Sequence, residues 1–174
     1  MTAAAVAQRF PGTTWLCPAL PASPRQAMDE VLQATADWPW ATTAVMGSSL
    51  GGFYATWLAE RWGCQAVLLN PAVKPARDLA VHLGDHTMWH NPEQHFVFEA
   101  SFVDELIAQE IATITRPQRY FAVIATGDEV LDWREMTGHY PGATIKLLPG
   151  GDHALSDYDQ HLDAVLDFLD LRAA

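Results

Sequence analysis

The sequence predicts one three-layer α/β domain, with a mainly parallel sheet between helices. Three observations carry this. Short β-rich runs alternate with helical patterns along the whole chain. The run Ala66–Asn70 is apolar on both faces, as in a strand covered by helices on each side. A chain of 174 residues with a hydrophobic fraction of 49% and a charged fraction of 18% matches a single folded core spanning 1–174.

The elements follow in order. Ala3 to Phe10 reads as a helix that Pro11-Gly12 stops. Thr13–Cys17 is β-rich and predicts a strand, and the prolines at 18 and 21 mark a loop. Ser23-Pro24 opens a helix, because serine caps well and proline suits the first helical position. Met28, Val31, Leu32 and Thr35 form its apolar face at three- and four-residue spacing. Thr42–Met46 predicts a strand, and Leu50–Trp62 a helix closed by Gly63. Ala66–Asn70 is the third strand. Residues 71 to about 100 read as irregular, and Phe102–Ile114 as a helix, so 71–115 is expected to form a cap or loop-helix segment. Tyr120–Thr126 and Thr144–Leu148 complete the strands. Asp132–Tyr140 and Ser156–Leu169 complete the helices, the last with Asp157 and Asp159 at its positive N-terminal end.

Charge narrows the partners. A net charge of -11 argues against nucleic acid, which needs clustered Lys and Arg, and weakly against an anionic membrane surface. No apolar run reaches the ~18 residues that span a bilayer. No charged and then apolar leader opens the chain, so the expected location is the cytoplasm. Cys17 and Cys64 have apolar neighbours and no metal-type spacing, and are expected to be buried, inert thiols. His82, His86, His90 and His95 invite a metal reading. Gly84, Asn91 and Pro92 interrupt any shared helix face, so no metal or cofactor is expected. Lys74, Arg77, Arg116, Arg119 and Arg134 read as solvated surface rather than as contacts for a phosphorylated carrier.

Gly47-Ser48-Ser49-Leu50-Gly51 matches G-x-S-x-G between a predicted strand and a predicted helix. A turn that sharp would push Ser49 into unfavourable dihedrals with its hydroxyl above the sheet. Gly47 and Gly51 are expected to be glycine because side chains there would collide across the bend. Leu50 N–H, at the helix N-terminus, would face a developing oxyanion. A serine needs a base, and on such a sheet the order is serine, acid, histidine. Asp128 follows the fourth predicted strand, with Glu129 and Asp132 as alternatives for the acid. His153 lies in the glycine loop after the last strand. Asp152 is a poor partner for His153, because adjacent side chains seldom face each other.

With these motifs assembled, the chain resembles the YqiA-like esterases, small α/β-hydrolases. The likeness runs through GSSLGGFYATWLAE, LLNPAVKP, Phe98-Glu99, TGDEVLDWRE, GGDHALSD and the closing AVLDFL. It implies hydrolysis of small carboxylic esters, fatty acyl thioesters included, with Ser49, Asp128 and His153 as nucleophile, acid and base. Trp89, Phe96, Phe98 and Phe102 are expected to line an acyl pocket or to be core. Family members begin with an apolar strand and a His-Gly-Phe type turn that supplies a second oxyanion donor, and neither is found in this sequence. The expectation is a fold truncated at its N-terminus, with Met1 internal to a longer chain. Two other readings are an impaired binding or interaction protein of the same fold and an acyltransferase using the same three residues.

Overall fold

The computed structural model describes residues 1–88 and 91–171, with side chains outside 86–96. In chain order the elements are helix α1 (Thr2–Arg9), helix α2 (Pro24–Ala34), strand β1 (Ala44–Ser48), helix α3 (Leu50–Trp62), strand β2 (Gln65–Leu69) and helix α4 (Pro75–Leu79). Then come strands β3 (Gly84–Met88) and β4 (Asn91–Phe98), helix α5 (Ala100–Gln109), strand β5 (Tyr120–Ala125), helix α6 (Trp133–His139), strand β6 (Thr144–Leu148) and helix α7 (Leu162–Leu169). The residues gather into two compact units. One holds Met1–Cys17, Pro39–Val73 and Ile111–Ala174, the other Pro18–Trp38 and Lys74–Glu110.

The first unit is built on a parallel sheet in the order β1-β2-β5-β6. β5 is buried along its whole length. Its side chains alternate between two cores, as the two-residue period of a strand requires. Tyr120, Ala122 and Ile124 join Leu68, Met136 and Tyr140 on one face. Phe121, Val123 and Ala125 join Val67, Val165 and Leu169 on the other. Leu68, Val67 and Ile124 are fully buried, and such side chains contribute about 1.5–3 kcal/mol each. α1 adds Val6 and Phe10 to a small cluster with Leu166 of α7. The result is the expected sheet between helical layers. Its register aligns the carboxyl ends, with Ser48 opposite Leu69, Leu69 opposite Val123, and Ala125 opposite Leu148. Residues 49, 70, 126–128 and 149–153 therefore emerge at one end.

The second unit carries α2, α4, α5 and the antiparallel pair β3–β4. Ser23 caps α2 as expected, its Oγ accepting the Gln26 N–H at 3.1 Å. The same hydroxyl donates to Glu105 Oε2 at 2.7 Å, and Gln109 Nε2 donates to the Pro24 carbonyl at 2.9 Å, tying α5 to α2. Phe98 and Phe102 meet edge to face, 5.6 Å between centroids.

Several expectations are corrected. Thr13–Cys17 forms no strand, because nothing pairs with it among the described residues, and the segment is exposed throughout. Cys17 is accordingly exposed, while Cys64 is buried. Residues 71–100 are not irregular, since they hold α4, β3 and β4. The helix expected over 102–114 runs Ala100–Gln109, and the last helix begins at Leu162 after a single tight turn at Tyr158–His161. His90 and Trp89 lie outside the described residues.

Candidate active site

Ser49 sits between β1 and α3 with φ 53° and ψ -122°. A non-glycine residue reaches this region only at a cost of about 1–3 kcal/mol, when its surroundings over-determine it. Here they do. Ser49 N–H donates to the Leu69 carbonyl at 3.0 Å, and Ser49 C=O accepts from Gly52 N–H and Ala72 N–H at 2.9 Å each. Sterics explain two of the glycines. A Cβ on Gly47 would lie 1.9 Å from the Gly51 carbonyl oxygen, and one on Gly52 2.7 Å from Pro71 Cβ. Gly51 departs from expectation, since a Cβ there would meet nothing within 4 Å. Its carbonyl is what crowds Gly47, so the tight positions are 47 and 52. Leu50, the first residue of α3, has no carbonyl a turn earlier to receive its N–H.

Asp128 follows β5 and His153 follows β6, and their loops are laced together. Thr126 N–H donates to Leu148 C=O and Gly127 N–H to Gly150 C=O, each at 2.9 Å. Gly150 N–H donates to Thr126 Oγ1 at 2.8 Å. The crossing is close enough that a Cβ on Gly127 would lie 2.5 Å from the Gly151 carbonyl oxygen. Gly150 and Gly151 have φ of +79° and +78°, a turn that residues with side chains rarely make.

These loops bring Ser49, His153 and Asp128 into one row. His153 Nε2 lies 2.9 Å from Ser49 Oγ, and Nδ1 lies 2.8 Å from Asp128 Oδ2. The Asp128 side chain is fully buried, while that of His153 is 21% exposed. Asp128 Oδ1 accepts the N–H groups of Val130 and Leu131 at 2.8 Å each. An ionised carboxylate only accepts, so His153 Nδ1 must donate to it. Nε2 of the neutral ring is then left to accept from the Ser49 hydroxyl.

The neighbouring acids do other work. Glu129 Oε2 accepts the His153 backbone N–H at 3.0 Å. Asp132 caps α6 through Arg134 N–H at 2.9 Å. Asp152 takes the N–H and hydroxyl of Ser156, at 2.9 and 2.6 Å.

One supporting residue escaped the sequence reading. Asn70 ends β2, is fully buried and has φ 39°. Its Oδ1 accepts Ala125 N–H at 2.8 Å, and its Nδ2 donates to the carbonyls of Asp152 and His153 at 3.0 Å each. One carboxamide thus joins the end of β5 to the histidine loop. The available signal was a polar residue closing an apolar strand.

A family model matches residues 1–170, described as uncharacterised protein family UPF0227. The chain belongs to that family. It is the YqiA-like family that the motifs pointed to. Solved structures similar to this UPF0227 chain carry hydrolase and esterase names. A candidate hydrolase from Agrobacterium vitis S4 aligns at TM-score 0.67 and 18% identity, over 84% of this chain and 69% of that one. Mouse alpha/beta hydrolase domain-containing protein 10 aligns at 0.58 and 20%, over 85% and 70%. The esterase domain of a Rhodothermus marinus protein aligns at 0.55 and 19%, over 87% and 67%. The UPF0227 chain has the α/β-hydrolase fold. Among the described residues no helix is long and apolar enough to cross a membrane, and no group of three or more His, Cys, Asp or Glu could hold a metal ion.

Proposed function

We propose that this protein is a serine hydrolase of small carboxylic esters, acyl thioesters included, working through an acyl-enzyme. The observation that carries the reading is the Ser49–His153–Asp128 row, with the serine on a strained turn at a helix N-terminus. The esterase and hydrolase names of proteins sharing the fold support it.

In this reading Ser49 Oγ attacks the ester carbonyl while His153 Nε2 takes its proton. Asp128 holds Nδ1–H and balances the imidazolium. The Leu50 N–H donates to the oxyanion from the first turn of α3, where the helix dipole adds to it. His153 returns the proton to the leaving alcohol or thiol. Water, deprotonated by His153, then releases the acid and restores Ser49.

The test combines turnover and labelling. The wild-type chain is assayed on p-nitrophenyl butyrate and incubated with a fluorophosphonate, then weighed intact. Turnover together with one adduct, both abolished in Ser49→Ala, supports the reading. A folded wild-type chain with neither sinks it, and a non-catalytic binding protein takes its place.

A further inference from the structure

We infer that a second site, remote from Ser49, binds a phosphate group, either as the free ion or on a small phosphomonoester. It lies where α3 ends, in a cavity of about 210 Å³. The 13 residues of α3 separate it from the elbow, which at 1.5 Å per residue is about 20 Å. Three arginines line it, Arg61, Arg116 and Arg119. In a chain of net charge -11, three cations around one small cavity need a local reason.

Two of the guanidinium groups converge, those of Arg119 and Arg116, while that of Arg61 lies over the Trp57 ring, 5.3 Å from its centroid. Gly63 closes α3 with φ +72°, and a Cβ placed on it would lie 2.1 Å from Arg119 Nη1 and 3.5 Å from Arg116 Nη1. Glycine at 63 therefore lets the Arg119 guanidinium pack directly against the backbone at the cavity wall, with Arg116 Nη1 beside it. Arg119 Nη1 is buried and finds no hydrogen-bond partner in the protein. An unmet buried donor costs about 1–3 kcal/mol, more when it is charged.

The one carboxylate in the lining, Glu60, cannot balance three arginines. Its oxygens are already engaged. Oε1 accepts the Thr115 N–H at 3.1 Å and the Tyr120 hydroxyl at 2.6 Å, and Oε2 accepts the Thr115 hydroxyl at 2.6 Å. Two positive charges remain, which matches a doubly charged oxyanion. Guanidinium forks suit phosphate in shape as well as charge. The volume suits a small ligand, since drug-sized pockets run about 300–1,000 Å³.

The experiment titrates the full chain calorimetrically with inorganic phosphate and with methyl phosphate, against chloride at matched ionic strength. One saturable site is expected in the wild type. Arg119→Gln should weaken it at least about tenfold, the loss of one charge-assisted hydrogen bond. The exposed Arg116→Gln should weaken it as well, and serves if Arg119→Gln does not fold. Equal binding of both probes assigns the site to phosphomonoesters, and binding of the inorganic ion alone assigns it to free phosphate. No saturable binding to folded wild type overturns the inference, as does unchanged affinity in the folded arginine variants. Binding is scored separately from ester turnover, so either result leaves the reading of Ser49 untouched.

Discussion

Asn70→Asp changes one atom of the side chain and almost none of its volume. It retains an acceptor for Ala125 N–H but removes both donors that hold the carbonyls of Asp152 and His153 at 3.0 Å. Those carbonyls would face an anion instead. Each unmet group costs about 1–3 kcal/mol, so the loss is about 2–6 kcal/mol from a total of about 5–15. For a chain of this length each kcal/mol moves Tm by about 2–4 °C, which puts the drop at 4 °C or more. The histidine loop would also loosen, moving His153 Nε2 away from Ser49. Turnover on an activated ester should therefore fall at 20 °C, where the variant is still folded, with kcat falling more than KM rises. The assay pairs a thermal melt by circular dichroism with initial rates on p-nitrophenyl butyrate. A variant that melts within 1 °C of wild type and keeps its kcat would refute the argument that this carboxamide organises the loop.

Further predictions follow from single contacts. Gly47→Ala would place a Cβ 1.9 Å from the Gly51 carbonyl; the elbow must open, and fluorophosphonate labelling of Ser49 should be lost even if the melt shows a folded chain. Burial pushes the Cys64 thiol up to about 11, outweighing the opposing hydrogen bond and Arg119, whereas Cys17 is exposed. A thiol reagent at pH 8 should modify one cysteine quickly and the second only in denaturant, and two fast modifications would contradict the burial of Cys64. Burial pushes the Glu60 carboxyl up, but hydrogen bonds from Thr115 and Tyr120 and the charge of Arg116 outweigh it, leaving the group below its ordinary 4.5. A depressed carboxylate stabilises the fold above its unfolded pKa and loses that contribution as pH falls through the folded value. The stability gap between wild type and Glu60→Gln should thus be full at pH 7 and shrink below pH 4.5; a gap independent of pH would count against it.

Much of this was legible in the residues. α3 is legible because its start, its stop and its apolar content agree. Gly63 takes the left-handed conformation that its place after Trp62 implied. Ser49, Asp128 and His153 were legible because each follows a strand, and parallel strands in register deliver their next residues to one end. Where the reading failed, the deciding partner lay far away in the chain. Thr13–Cys17 has strand-forming residues, but strand formation depends on a neighbour. Cys17 looked apolar in context and stands exposed for the same reason. Asp128 was preferred over Glu129 and Asp132 for its place directly after β5, and it is the acid whose Oδ2 lies 2.8 Å from His153 Nδ1. Asn70 and Arg119 escaped for a related reason, since nothing local marks a carboxamide that bridges loops or a guanidinium that packs over a glycine.

The spacing of the row also says when it can exist. Ser49 and His153 are 104 residues apart, against 25 for Asp128 and His153. Closing the longer loop costs about 1 kcal/mol more in chain entropy, and the Ser49 turn adds strain that only the assembled sheet can hold. Neither penalty is offset until β1, β2, β5 and β6 have all docked. The Asp128–His153 pair can preform in a partly folded chain, but the Ser49–His153 contact cannot. A covalent serine probe applied during refolding would therefore time the last closure of the sheet, lagging behind the recovery of helical signal.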